Sequence, residues 1–295
     1  ASLADAQPTW DARGGRERAA ILDAVADAIE AATEGFVARL AREAGKTRMA
    51  AIAEVREAVD FCRYYAAGAR SNFAEALALP SPTGESNALS LHGRGVFACI
   101  SPWNFPLAIF TGQIAAALAA GNTVAAKPAE QTPLTAALAV EVMLRAGLPA
   151  DVIALLPGRG ESVGAALVAD PRVAGVAFTG STEVAAIIAR TLASRLPLVP
   201  LIAETGGLNA MIADSSALPE QVAADALVSA FDSAGQRCSA LRVLCVQRDI
   251  ASRVVTLLQG AMDEISVGDP ADRATDVGPV IDRVAQSALE RHVDA

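Results

Sequence analysis

The sequence predicts an α/β protein: N-terminal helices, then a doubly wound parallel sheet, then the start of a second α/β unit that is left incomplete. Three observations carry this reading. From residue 95 onward, short apolar runs alternate with Ala-rich segments of helix length. Each gap between runs holds one such segment, which is the crossover that parallel neighbours need. Turns rich in glycine and hydroxyl residues follow several of the runs, where ligands bind in sheets of this class.

The elements follow in chain order. Helical sequence begins around Trp10 and continues through Arg16–Ala32. Ile52, Val55, Val59 and Cys62 then recur at helical spacing, with Glu54, Arg56, Glu57, Asp60 and Arg63 between them, so Thr47 to about Gly68 is expected to be an amphipathic helix. Pro80–Gly84 marks a loop. Strands are expected at Gly95–Ile100, Thr123–Ala126, Val152–Leu156, Val173–Phe178 and Leu198–Ala203. The helices between them are Leu107–Ala120, Pro133–Arg145, Glu161–Ala169 and Thr182–Ala193. A new unit starts after Gly207, with strands at Ala210–Ala213 and Arg242–Val246, and helices at Pro219–Phe231, at Ile250–Glu264 and from Arg283. The chain starts at Ala1 without a methionine or targeting segment and stops at Ala295 inside that last helix. It reads as a piece of a longer chain, with a first domain over 1–206 and part of a second over 207–295.

Composition narrows the function classes. With 53% hydrophobic and 19% charged residues the chain suits a globular protein. A net charge of -9 and the absence of a basic stripe argue against nucleic-acid binding. The uncharged run from Val96 to Ala126 is long enough to raise a membrane span, but Pro102, Asn104, Pro106 and Gly121-Asn122 divide it into strand, turn, helix, turn and strand. Cys62, Cys99, Cys238 and Cys245 show no CxxC spacing, which favours a reducing, cytoplasmic compartment. With only His92 and His292 available, no metal site is expected.

Six segments carry candidate chemistry. Cys238 follows Gly235-Gln-Arg237 in a loop, and its thiolate would be a nucleophile, with the adjacent Arg237 raising the thiolate fraction. Cys62, Cys99 and Cys245 are assigned to packing. Glu204 ends a strand before Gly206-Gly207, and a carboxylate there can take a proton from water if burial tunes its pKa upward; a solvated strand-end glutamate is the alternative. Asn104, in Ser101-Pro-Trp-Asn-Phe-Pro106, offers a neutral N–H to a developing oxyanion, or forms a simple turn. Lys127 and Glu130, in Lys127-Pro-Ala-Glu-Gln-Thr-Pro133, follow the second strand; by themselves they are a weak signal, and a solvated charge pair capping the next helix is the plain reading. Gly158-Arg-Gly-Glu-Ser-Val-Gly164 and Phe178-Thr-Gly-Ser-Thr182 place glycines and hydroxyls at helix starts, where phosphates bind; Ser181 is equally a plain N-cap.

Taken together, these segments resemble the aldehyde dehydrogenase superfamily over almost the whole chain. The resemblance implies a Rossmann-like NAD-binding domain and a nucleophile-bearing catalytic domain. It implies Cys238 as nucleophile, Glu204 as general base and Asn104 as oxyanion donor. It also implies Trp103, Lys127, Glu130, Gly160, Gly164, Ser181 and Gly207 as NAD-binding positions, with Glu130 favouring NAD over NADP. Phe231–Arg242, Asp60–Tyr65 and Thr111-Gly-Gln-Ile114 look like the glutamate semialdehyde (pyrroline-5-carboxylate) dehydrogenase branch, especially the dehydrogenase modules of bifunctional proline-utilisation proteins. On that branch Ser239 would anchor the substrate carboxylate and Phe105 would pack on its aliphatic stem. The implied partners are the aldehyde, an FAD-dependent proline dehydrogenase module in the parent chain and further copies in a homo-oligomer; a peripheral contact of the parent with the inner membrane is compatible with the resemblance. One departure stands out. Gln113 occupies a position where many members carry lysine, so a charged proton shuttle there is excluded. Because family members continue through further site segments, these 295 residues alone are expected to turn over weakly or not at all, and a nucleotide-binding or assembly module is the second reading.

Overall fold

A computed structural model describes residues 2–294. Two compact units are present: the residues through Phe36 with Ala53–Glu204, and Val37–Ile52 with Thr205 onward. The stretch Val37–Ile52, which the sequence reading put with the first domain, clusters with the second unit.

Helices α1 (Ser2–Ala12), α2 (Gly14–Ala31), α3 (Thr33–Ala44) and α4 (Arg48–Asn72) come first. The sequence reading missed α3, along with the antiparallel pair β1 (Leu77–Leu79) and β2 (Asn87–Leu89) on either side of the expected Pro80–Gly84 loop. On α4 the buried stripe runs through Val55, Ala58, Val59, Cys62, Ala66 and Ala69. Two expectations fail at its start: Ile52 is 40% exposed, whereas Glu54 is 1% exposed. A charged residue displaces an apolar one because Glu54 has buried backbone donors to satisfy, described below.

The first unit continues through β3 (Val96–Ile100), α5 (Ala108–Ala119), β4 (Thr123–Lys127), α6 (Pro133–Arg145) and β5 (Ile153–Leu155). A π-helical turn at Gly160–Gly164 leads into α7 (Ala165–Ala169), then β6 (Val173–Gly180), α8 (Thr182–Ala193) and β7 (Leu201–Thr205). β3 and β4 are buried at every position, as strands covered on both faces must be. The sheet order is β5-β4-β3-β6-β7, with β3 parallel to β4 and β6, and β4 parallel to β5. Counted along the chain, that is third, second, first, fourth, fifth. The order reverses between β3 and β6, so the crevice beyond their carboxyl ends is the switch point where such a sheet binds ligands.

Right-handed crossovers running in opposite directions from that point put α5 and α6 on one face and α8 on the other. Ala98 and Ile100 of β3 pack with Val168 of α7 and with Ala185, Ile188 and Leu192 of α8. Burial of each large aliphatic side chain in this cluster contributes about 1.5–3 kcal/mol. Phe97 points the other way, and its ring fills the space over Gly175, where an added methyl would lie 2.2 Å from the ring.

Helix α5 needs special provision at its ends. Its sequence, AIFTGQIAAALA, is apolar nearly all round and mostly buried, so water cannot serve its terminal N–H and C=O groups. Trp10 Nε1 donates to Leu118 O at 3.1 Å and Arg18 Nε to Ala119 O at 3.1 Å, closing its C-terminal end from α1 and α2. Arg18 is itself 1% exposed, with burial lowering its pKa and Asp11, 3.6 Å away, opposing that shift.

In the second unit β8 (Asn209–Ala213) pairs in parallel with β9 (Leu241–Val246), and α9 (Pro219–Phe231), α10 (Arg248–Asp263) and α11 (Arg283–Val293) complete it. Ala213, Val222 of α9 and Val254 of α10 form its small core, joined by Leu244 and Val246.

Candidate active site

Apart from Gly207, the residues expected to bind nucleotide lie in the first unit, near the carboxyl ends of its strands. Lys127 ends β4 and is 2% exposed. Its Nζ donates to Pro128 O at 2.9 Å and stands 3.7 Å from Glu130 Oε2. Burial lowers the Lys127 pKa, and the charges of Glu130 and then Glu161 oppose that shift. Thr132 stands at the N-cap position of α6 without a side-chain capping bond, and Pro133 opens the helix where its missing N–H costs nothing. Gly164 packs against the Lys127 stem, so the π-helical turn and the lysine form one wall; Gly160 has open space where a side chain would be. Ser181 is the N-cap of α8, accepting from Val184 N at 3.3 Å, which is the plain capping role weighed against the phosphate one.

At the switch point itself, Trp103, Asn104 and Phe105 are half-buried in the loop between β3 and α5. Ser101 Oγ donates to Gln113 Oε1 at 2.9 Å, and Gln113 Nε2 donates to Thr179 Oγ1 at 3.0 Å. At the other end of the loop, Glu54 Oε1 accepts from Leu107 N at 2.8 Å and Ala108 N at 3.2 Å. Neither Glu54 nor Thr179 stood out in the sequence, since their partners lie 53 and 66 positions away. Glu204, on β7, is exposed, so the burial invoked to tune it is not found.

Gly207, Cys238 and Ser239 belong to the second unit, and all three are exposed. The cysteine loop follows α9 through Ser233, Ala234 and Gly235, whose φ angles of 54°, 56° and 67° are all left-handed. Two non-glycine residues in that region cost roughly 1–3 kcal/mol each, and such strain concentrates at functional sites. Several bonds hold the loop. Asn209 Nδ2 donates to Cys238 O at 2.8 Å and to Ala240 O at 3.0 Å, Arg242 donates to Gly235 O at 2.9 Å, and Gln236 Oε1 accepts from Ile281 N at 2.9 Å. The Arg237 guanidinium pairs with Asp232 at 3.1 Å and donates to Val228 O at the end of α9, where a positive charge complements the helix terminus.

The other thiols separate by environment. Burial pushes Cys62 and Cys99 up to about 12, which leaves them inert at neutral pH. Cys245 is exposed, contrary to its assignment to packing, because Leu244 and Val246 take the core-facing positions of β9 and the alternating pleat turns Cys245 outward. Among the described residues no group of three or more His, Cys, Asp or Glu could hold a metal ion, and no helix is long and apolar enough to cross a membrane.

Comparison with known proteins is consistent across sequence and structure. The profile described as "Aldehyde dehydrogenase family" matches residues 1–295. Bifunctional protein PutA of Klebsiella aerogenes is 58% identical over 292 residues, covering 98% of this chain and 21% of that protein. A crystal structure of bifunctional proline utilization A superposes with a TM-score of 0.96 at 56% identity, over 99% of this chain and 30% of that one. A 1-pyrroline-5-carboxylate dehydrogenase from Thermus with bound NAD gives 0.95 at 34% identity, over 99% and 57%. The chain thus spans about a fifth of the curated bifunctional relative.

Proposed function

Because the chain belongs to the aldehyde dehydrogenase family, we propose that it forms the nucleotide-binding and nucleophile-bearing part of an enzyme that oxidises L-glutamate 5-semialdehyde to L-glutamate with NAD. The observation that carries this reading is the kinship, over nearly the full chain, with PutA and with an NAD-bound 1-pyrroline-5-carboxylate dehydrogenase. That kinship supports a place in proline catabolism. The residues present fit the cofactor: a switch point between β3 and β6, a buried lysine beside a half-exposed glutamate at the end of β4, and a capped helix start after β6.

In this scheme Glu130 accepts hydrogen bonds from the adenosine ribose hydroxyls and repels a 2'-phosphate, Lys127 holds the same ribose, and Ser181 meets the pyrophosphate at the start of α8. Trp103, Gly160, Gly164 and Gly207 complete the cofactor contacts. Cys238 attacks the aldehyde carbon as thiolate, and the carbonyl oxygen becomes an oxyanion that accepts from the Asn104 amide and the Cys238 N–H. NAD, when bound, supplies the acceptor for the hydride that leaves the carbon, and the adduct becomes a thioester. Glu204 then takes a proton from water as its oxygen attacks the thioester, the C–S bond breaks, and the acid leaves with the Cys238 thiolate restored. Ser239 anchors the substrate carboxylate and Phe105 packs on the methylenes. In the parent chain, a flavin-dependent proline dehydrogenase module supplies the substrate.

The test is NADH formation, followed by absorbance, from NAD and glutamate semialdehyde in the full-length protein. Turnover lost in Cys238→Ala and Glu204→Gln supports the scheme. Full turnover by Cys238→Ala refutes it.

A further inference from the structure

We propose that Glu54 and Gln113 are positioning residues that clamp the Asn104 loop at its two ends and hold its amide ready for the oxyanion. This rests on the reading of Asn104 as oxyanion donor. An amide can stabilise a developing charge cheaply only if it is already in place when the charge forms, because reorienting a dipole during the reaction raises the barrier. Two positions of the loop cannot donate from the backbone. Pro102 and Pro106 lack the N–H groups that would tie it to neighbouring backbone.

Side chains from outside the loop take over that task. At its start, Ser101 N donates to Lys127 O at 3.1 Å, and Ser101 Oγ donates to Gln113 Oε1. The same Gln113 amide donates to Thr179 Oγ1 and, at 3.4 Å, to Ile100 O. Gln113 therefore laces the carboxyl ends of β3 and β6, the two strands that part at the switch point. A lysine in its place could accept no hydrogen bond from Ser101, so the departure from the common family residue exchanges a mobile charge for a fixed tie.

At the far end, Glu54 reaches from α4 to the first turn of α5, and one oxygen accepts both Leu107 N and Ala108 N. The reach is set by close packing: an added methyl on Gly112 of α5 would lie 3.0 Å from the ring of Phe61 on α4. Leu107 is fully buried, so water cannot replace this acceptor if it is lost. The bonds have an electrostatic result as well. They occupy two donors at the α5 N-terminus, Leu107 N and Ala108 N, which would otherwise be open to anionic groups of the substrate.

The experiment measures kcat, KM and NAD affinity in the full-length protein for N104A, E54A, E54Q, Q113A and the double variants E54A/N104A and Q113A/N104A. Displacing the amide by about 1 Å should lower kcat in E54A and Q113A by roughly 10- to 100-fold, with NAD affinity changed less than about twofold. E54Q keeps an acceptor oxygen and should stay within about threefold of the parent. Neither double variant should be slower than N104A, since a lost clamp has nothing left to position. The clamp is overturned if N104A is slow while E54A and Q113A keep kcat within about threefold of the parent, or if their losses multiply with that of N104A. If N104A itself keeps full kcat, it is the oxyanion reading that fails, and the clamp with it. Should E54A not fold, Q113A and its double variant with N104A decide the matter alone.

Discussion

Replacing Glu130 by glutamine separates two roles that one carboxylate could fill. Its protein partner is Lys127, 3.7 Å away, and Glu130 is 43% exposed, so solvent screens the pair to about 0–1 kcal/mol. Lys127 keeps its bond to Pro128 O in the variant. The fold should therefore lose less than about 1 kcal/mol. Its bonds to a bound ribose are of a different size. A charge-assisted hydrogen bond contributes about 1.5–3 kcal/mol, which corresponds to a 10- to 150-fold weaker NAD complex when the charge is removed. The discrimination against NADP should shrink by a similar factor, because a neutral amide no longer repels the 2'-phosphate. Titration of the full-length E130Q protein with NAD and with NADP by calorimetry reads both numbers. An NAD affinity within twofold of the parent, with NADP still excluded, would refute the ribose assignment and leave Glu130 as a surface ion pair.

Three further outcomes follow from the packing and the loops. Gly175→Ala puts a methyl 2.2 Å from the Phe97 ring and should cost about 1–3 kcal/mol in urea unfolding, partly restored by a second change, Phe97→Leu; equal and additive losses would show that the ring moves aside freely. Iodoacetamide at neutral pH should label Cys238 and Cys245 in the folded chain, with Cys62 and Cys99 reacting only after denaturation, as mass spectrometry of tryptic peptides would show. Asn209→Ala removes both bonds to the cysteine loop and should lower kcat by roughly 10- to 100-fold without weakening NAD binding; an unchanged kcat would mean that the left-handed turn at Ser233–Gly235 holds the thiol by itself.

Local chemistry made much of the fold legible. Pro133 and Pro219 open α6 and α9, and Ser181 caps α8, so those helices begin where the sequence says they should. The fifth strand of the sheet was expected over Leu198–Ala203 but runs Leu201–Thr205, since Pro197 and Pro200 have no N–H for a ladder. β1 and β2 carry three residues each, nearly all exposed, and show no alternation to read. In the site, motif residues could be named because their neighbours in sequence are distinctive. Their supports could not. Glu54 reads as one more polar residue on an amphipathic helix, and Asn209 carries no local signal, because the backbone groups they satisfy are remote in sequence. Arg237 was read by its adjacency to Cys238, and its bonds to Asp232 and Val228 O had no sequence signal.

The capping of α5 at its C-terminal end has a consequence for how the chain can be divided. Trp10 and Arg18 close the last carbonyls of a helix that lies beside β3 and β4, so the first two helices are built into the sheet layer rather than attached to it. A cut between residue 72 and residue 96 would look harmless in sequence, falling among exposed short strands. It would nevertheless strip a buried helix of the donors to its last carbonyls and remove Glu54 from its opposite end. The first two helices and the sheet they pack on therefore form one folding segment and unfold together.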